Sequence, residues 1–226
     1  MQETRHQFHE SLTQLEHKTL ECLDLVIQQL DRALRAVSCQ DVELAAKVVA
    51  DDDQIDRRYR EIHKHALSLL ALQAPVAGEL RLVAALLHMI RCIERMGDQC
   101  VNVAKLVPLA GYGATSGTHI LATIERMGEL VRAQVSEAKE AFAARDVALA
   151  RDLANRDRVI ERLDREVFIR AVEAGDDLDV REWAMFMILV SRCLERIAEN
   201  TVDIAEQVIF VVLGLFRELE GESPLA

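Results

Sequence analysis

Aromatic residues are scarce in this chain, at 4%, and so are glycine (9) and proline (3) over a length of 226. A sheet protein needs turn residues at short intervals and draws on β-branched and aromatic side chains, so this scarcity argues against one. A basic excess is also missing: 27 Lys and Arg stand against 38 Asp and Glu, for a net charge of −11. Such a chain is repelled by phosphate backbones and anionic lipid, so no nucleic-acid partner is expected. The longest strongly apolar run, "VIFVVLGLF" (208–216), is far short of the ~20 residues a membrane span needs, so no direct membrane insertion is expected. The start, "MQETRHQFHESL", is polar and does not read as a secretory leader. Cys22, Cys39, Cys92, Cys100 and Cys193 are odd in number and form no C-x-x-C pair. A reduced, cytoplasmic setting is expected, with each cysteine a small buried hydrophobe. P-loop, G-x-G-x-x-G and nucleophile-elbow motifs are absent, and with them the enzyme classes they serve.

What is present is Ala, Leu, Val, Glu and Arg, the composition of helix. Punctuation is sparse. "SCQD" (38–41) is the first break, with Asp41 a ready N-cap. "QAPVAGE" (73–79) follows, because Pro75 cannot sit inside a helix. "VPLAGYGATSGTH" (107–119) is the strongest and reads as a linker. "AARD" (143–146) offers Asp146 as a cap, and "EAGDDLD" (173–179) is the last break. Six long antiparallel helices are expected, at about 3–37, 41–72, 79–107, 118–143, 147–174 and 179–217, the longer ones spanning ~45–55 Å.

The two halves repeat. Shifted by 105 residues, 41–61 lies over 146–166 with nine of 21 positions identical, Asp41/Asp146, Asp52/Asp157, Ile55/Ile160 and Glu61/Glu166 among them. Shifted by 101, 91–105 lies over 192–206 with six of 15 identical, including Cys92/Cys193, Glu94/Glu195 and Arg95/Arg196. The fold class expected is therefore all-α, two tandem pseudo-symmetric three-helix bundles: 1–107, a linker at 108–117, a second bundle at 118–217, and a tail at 218–226.

Acidic residues recur in register. In the third helix a stripe spaced by three and four runs through Leu80, Val83, Leu87, Ile90, Glu94, Gly97, Val101 and Ala104. Glu94 falls on it, Asp98 is one turn on, and Asn102 one turn further. The sixth helix repeats this through Ile188, Ser191, Glu195, Ala198, Val202, Ala205, Ile209, Val212 and Phe216, with Glu195, Glu199 and Asp203 as the ladder. The second and fifth helices add Asp52 with Asp56 and Asp157 with Glu161. Four close carboxylates cannot all stay ionised where water is thinned. Protons are shared, arginines pair with them, or cations neutralise them. A thiol-free oxygen set suits Mg²⁺, Mn²⁺, Ca²⁺, iron or zinc. Against this stands an ion-paired surface face built with Arg57, Arg91, Arg95, Arg192 and Arg196. Glu3-x-x-His6 has the spacing of di-iron bundles but has no second copy. His63 and His65 face different ways, His88 reads as an interior or boundary histidine, and Trp183 as packing.

Three segments resemble a known family. "QAPVAGELR" (73–81) is similar to the Q-x-P-x-A-x-D-L-R segment of PhoU proteins, "ERMGDQCVNVAK" (94–105) to their E-R-x-G-D-H-x-x-N-I-A motif, and "ERIAENTVDIAE" (195–206) to its second copy. The resemblance implies a cytoplasmic, non-enzymatic negative regulator of the phosphate-starvation response, reaching the inner face of the membrane through partners. Those partners would be the ATPase subunit of the phosphate ABC transporter and a phosphate-sensing histidine kinase. Separately, the long apolar seams lead to the expectation of a homodimer. The resemblance also implies metal ions (iron, zinc, manganese or magnesium) on Asp52, Asp56, Glu94 and Asp98, and on Asp157, Glu161, Glu195 and Glu199. Asn102 and Asp203 are further candidate oxygens, and Arg81 a candidate interaction or structural residue. This chain departs from the motif: its histidine is Gln99 and Asn200, the second Asp is Glu199, the second Asn is Asp203, and Arg81 has no twin. Its alternatives are a carboxylate-bridged di-metal enzyme of ferritin type and a metal-free helical scaffold.

Overall fold

Helix ends follow the local chemistry of the breaks. In this computed structural model, which describes residues 2–111 and 118–215, α1 (Gln2–Cys39) stops where Gln40 turns left-handed at φ 51°. Asp41 then caps α2 (Val42–Ala50), its carboxylate accepting from the Leu44 amide at 2.9 Å. The second half repeats the device 105 residues on: α5 (Thr118–Ala144) ends at Arg145, φ 56°, and Asp146 caps α6 (Val147–Val172) by accepting from the Ala148 and Leu149 amides at 2.9 and 3.0 Å. A short oxygen side chain at this position satisfies amides that the first helical turn leaves orphaned. α3 (Asp53–Gln73) ends at left-handed Ala74 before Pro75, and α4 (Gly78–Leu106) follows. α7 (Leu178–Leu213) starts from an Asp177 cap and ends at left-handed Gly214.

The expected second helix is broken. α2 and α3 are separated by Asp51–Asp52, whereas its counterpart α6 runs unbroken. Asp51, Asp52 and Asp53 are consecutive like charges, and aspartate prefers caps to helix interiors. The equivalent stretch of α6 is Arg156–Asp157–Arg158, which alternates in sign. The sixth helix ends at Leu213, four residues before its expected end, and Phe216, linker residues 112–117 and the 218–226 tail lie outside the described residues.

All seven helices of the described residues contribute to one apolar core that continues from the first half into the second. α4 and α7 form its central pair, with α3 against α4 and α6 against α7. α1 and α5 cross between the halves and carry ion pairs, Asp24–Lys139 at 2.6 Å, Asp31–Arg132 at 3.1 Å and Glu16–Arg145 at 2.8 Å. Gly97 lets α3 approach α4 closely: a Cβ there would sit 3.0 Å from Ile55 Cδ1.

Candidate metal centre

The buried stripe of α4 is two residues wide, through Met89 and Ile90, Cys92 and Ile93, Met96 and Gly97, Cys100 and Val101. The acids ride along one edge of it, which corrects the expectation of a buried ladder. Glu94 is half-buried, Asp98 and Asn102 are exposed, and Leu80, placed on the stripe by spacing alone, is 47% exposed. In α7 the expectation holds for Glu195, which is buried, while Glu199 is exposed. Rim placement fits hydrophilic chemistry: the carboxylates are close to the core but open to solvent on one side.

The α3–α4 approach gathers the first set. Asp52 and Asp56 enter from the turn and first part of α3, and Glu94 and Asp98 from α4. Their mutual repulsion marks the proximity. Burial, then Asp56 and Asp98, push the Asp52 carboxyl above its ordinary range. Burial, then Asp98 and Asp56, do the same to Glu94. Asp98 is raised by burial and by Asp56. Among the described residues no Lys or Arg side chain forms an ion pair with any of these four. Arg95 and Arg91 bear on Glu94, and Lys105 on Asp52 and Asp98, only through space, and Arg32 pairs with Asp51 instead.

The α6–α7 contact gathers the second set. Asp157 is pushed up to about 6, by burial first and then by Glu161 and Glu199, against the pull of a Gln134 hydrogen bond. Glu195 is raised by burial, opposed by Arg192, and raised further by Asp164 and Glu199. Here an arginine is in place: Arg192 forms an ion pair with Glu195. Asp164 accepts from Ser191 Oγ at 2.6 Å.

A pair of glutamines went unread in the sequence. Gln29 on α1 donates to the Val48 carbonyl at 3.5 Å and to Asp52; Gln134 on α5 donates to the Leu153 carbonyl at 3.4 Å and to Asp157 Oδ1 at 3.4 Å. Both are buried, and each keeps a carbonyl oxygen with no hydrogen-bond donor. They stand 105 residues apart, so carrying the repeat back into the first helix of each half would have found them. The all-oxygen chemistry of this donor set suits a hard cation, while in this structure no three of these carboxylates bring ligand atoms within 4.8 Å of one another. In the first half it offers four carboxylates, no arginine among them, and an orphaned amide oxygen beside Asp52. In the second, Arg192 already supplies one positive charge.

Three other candidates fall elsewhere. Asn102 is exposed one turn beyond Asp98. Its twin Asp203 turns toward α4, with Oδ2 4.0 Å from Cys92 Sγ. Arg81 is half-buried at the end of α7: a Cβ on Gly214 would lie 3.6 Å from its Nη1. A guanidinium beside a helix C-terminus meets the negative end of the helix dipole. His88, expected at the interior or boundary, is exposed, and Trp183 is buried as packing.

The fold and the twin acidic sets define a duplicated helical-bundle protein with a carboxylate-rich rim in each half. Residues 19–107 and 124–208 each match the family model of the PhoU domain, and the chain belongs to the PhoU family. It is 30% identical over 217 residues to the phosphate-specific transport system accessory protein PhoU homolog 1 of Mycobacterium leprae, covering 93% of this chain and 95% of that one. It is 31% identical over 186 residues to the PhoU homolog of Zymomonas mobilis, covering 82% and 78%. Among solved structures it is similar to PhoU from Pseudomonas aeruginosa, at TM-score 0.83 and 29% identity over 92% of this chain and 100% of that one. The phosphate transport system regulatory protein PhoU of Streptococcus pneumoniae has the same fold, at TM-score 0.86 and 23% identity over 93% and 99%.

Proposed function

We propose that this chain is an accessory regulator of phosphate transport, not an enzyme. It restrains uptake and the phosphate-starvation response when phosphate is ample, by binding the transporter's ATPase subunit and a phosphate-sensing histidine kinase. The names of its relatives, accessory and regulatory proteins of phosphate transport, support this reading. Its mechanism rests on one observation: Asp52, Glu94 and Asp98 are close enough to one another and to Asp56 for their charges to interact, and among the described residues no basic side chain forms an ion pair with them. Asp52, Asp56, Glu94 and Asp98 would hold divalent cations, iron, zinc, manganese or magnesium, and so clamp α3 to α4. A bound cation would supply positive charge that offsets the repulsion among these carboxylates. Asp157, Glu161, Glu195 and Glu199 would clamp α6 to α7 in the same way, more weakly while Arg192 holds Glu195. Clamped helices keep the acidic outer face in one shape for its partners.

No helix among the described residues is long and apolar enough to cross a membrane. The reading puts the protein in the cytoplasm, brought to the inner face of the membrane by its partners. It includes a homodimer, supported by the exposed Phe168, Ile169 and Val172 of α6 and Leu178, Met185 and Leu189 of α7. Affinity capture of the full chain from phosphate-replete cells tests the whole. Recovery of the transporter ATPase or the kinase is expected, and weaker recovery with Glu94→Gln/Asp98→Asn. Recovery of neither partner overturns the regulatory reading, and equal recovery with the variant overturns the clamp.

A further inference from the structure

The contact between α4 and α7 holds a second kind of donor set, away from both acidic rims. His88 and Cys92 lie one turn apart on α4, and Asp203 reaches them from α7. One ligand atom from each lies within 4.8 Å of the others, and Cys92 Sγ is 4.0 Å from Asp203 Oδ2. Around a tetrahedral zinc ion, with Zn–S ~2.3 Å and Zn–N or Zn–O ~2.0 Å, ligand atoms sit about 3.3–3.6 Å apart. Small side-chain rotations close that difference. We propose that His88, Cys92 and Asp203 bind a zinc-like divalent cation that joins the first half of the molecule to the second.

The chemistry of the set separates it from the rims. One thiolate, one imidazole and one carboxylate suit a borderline cation, whereas the all-oxygen rims suit a hard one. Cys92 is buried at 1% exposure while His88 is exposed, so the sulfur is shielded and the site has an entry from solvent. Burial first, then the Asp203 carboxylate, pushes the Cys92 thiol up to about 12, with Glu206 adding to the rise and Arg95 and Arg91 opposing it, so the metal-free site holds the protonated thiol and the cation must displace that proton. On binding, the Sγ–H bond breaks, its proton goes to solvent and the thiolate electron pair forms the metal–sulfur bond. Three protein ligands leave a fourth position for water.

The repeat supplies an internal control. A shift of 101 residues turns His88 into Leu189, Cys92 into Cys193 and Asp203 into Asn102. The cysteine is kept, but the mate of the site has an aliphatic side chain and a neutral amide where ligands would be. The donor set therefore exists on one side of the α4–α7 pair only, and spacing within either helix alone does not reveal it.

Cobalt(II) titration of the full-length, chelator-treated chain tests the proposal. A thiolate-to-cobalt charge-transfer band in the near ultraviolet is expected, with saturation at one ion and loss on adding zinc. Cys92→Ser should abolish the band. His88→Ala, at an exposed position that cannot disturb the core, should weaken binding by at least ~10-fold. Glu94→Gln/Asp98→Asn should leave the band intact, which separates this site from the rim clamp. No band, or a band that survives Cys92→Ser and disappears with Cys193→Ser, overturns the proposal.

Discussion

The two halves share their scaffold and differ in how they balance charge. Asp41 and Asp146 cap α2 and α6 in the same way, and Gln29 and Gln134 brace the first carboxylate of each set from the same depth. Yet in the first half three consecutive aspartates break the helix and the four rim acids have no ion-pair partner among the described residues. In the second, arginines flank Asp157, the helix continues, and Arg192 neutralises Glu195. Positions that make backbone hydrogen bonds tolerate little change, because a lost partner leaves a buried or orphaned amide. Rim charges are freer to drift, since solvent or a cation can stand in for an arginine.

The largest effect should come from removing the unpaired rim. Added Mn²⁺ at ~100 times its dissociation constant should stabilise the intact chain by about 2.7 kcal/mol, a rise of roughly 5–10 °C in melting temperature. Asp56→Asn/Asp98→Asn should remove most of that rise, and Glu161→Gln/Glu199→Gln little of it. Equal losses would erase the difference between the halves.

A smaller effect follows from the one rim that carries its own cation. Arg192→Met leaves a buried Glu195 without its partner, so the metal-free chain should lose about 1 kcal/mol in a chemical denaturation, a value held down by the half-exposed guanidinium. Arg91→Met, at the twin position, should cost almost nothing. With Arg192 gone the second rim should bind Mn²⁺ more tightly. Unchanged affinity would mean that the arginine does not compete with cations.

The caps sharpen the shared part. Asp41→Ala and Asp146→Ala should each cost about 1 kcal/mol, equally in the two halves, read by the same denaturation.

A further effect is in pH. Asp157 titrates at about 6 in the folded chain against 3.8 for the ordinary side chain. Between those values the folded state holds more protons than the unfolded one, so this group's contribution falls as pH rises through the window and levels off above it. Metal-free Asp157→Asn should lose less stability than the parent between pH 4 and 7, measured by thermal melts across that range.

Much of this was legible from residues. The breaks at 38–41, 73–79, 143–146 and 173–179 were written in Asp, Pro and Gly, and the structure has turns at each. The shift of 105 residues found the caps. The break at Asp51–Asp52 was not read, although three adjacent acids were its signal. A stripe traced by steps of three and four also set the acids too deep, because a helix packed between neighbours buries two adjacent rows and the acids occupy the edge of one. Spacing makes Arg192 a rival partner for the acids, but its choice of Glu195, when Arg91 forms no ion pair with Glu94, depends on rotamers that spacing does not fix. The turn of Asp203 toward Cys92 was hidden for a different reason: it lies between helices more than a hundred residues apart.

Equilibrium dialysis of Mn²⁺ against the chelator-treated chain at neutral pH tests the central claim most directly. Three proteins are compared: the parent, Glu94→Gln/Asp98→Asn and Glu195→Gln/Glu199→Gln. The account predicts a tight phase that disappears only in the first variant and a weaker phase that disappears only in the second. A parent that binds no Mn²⁺, or a tight phase that survives Glu94→Gln/Asp98→Asn, would contradict it.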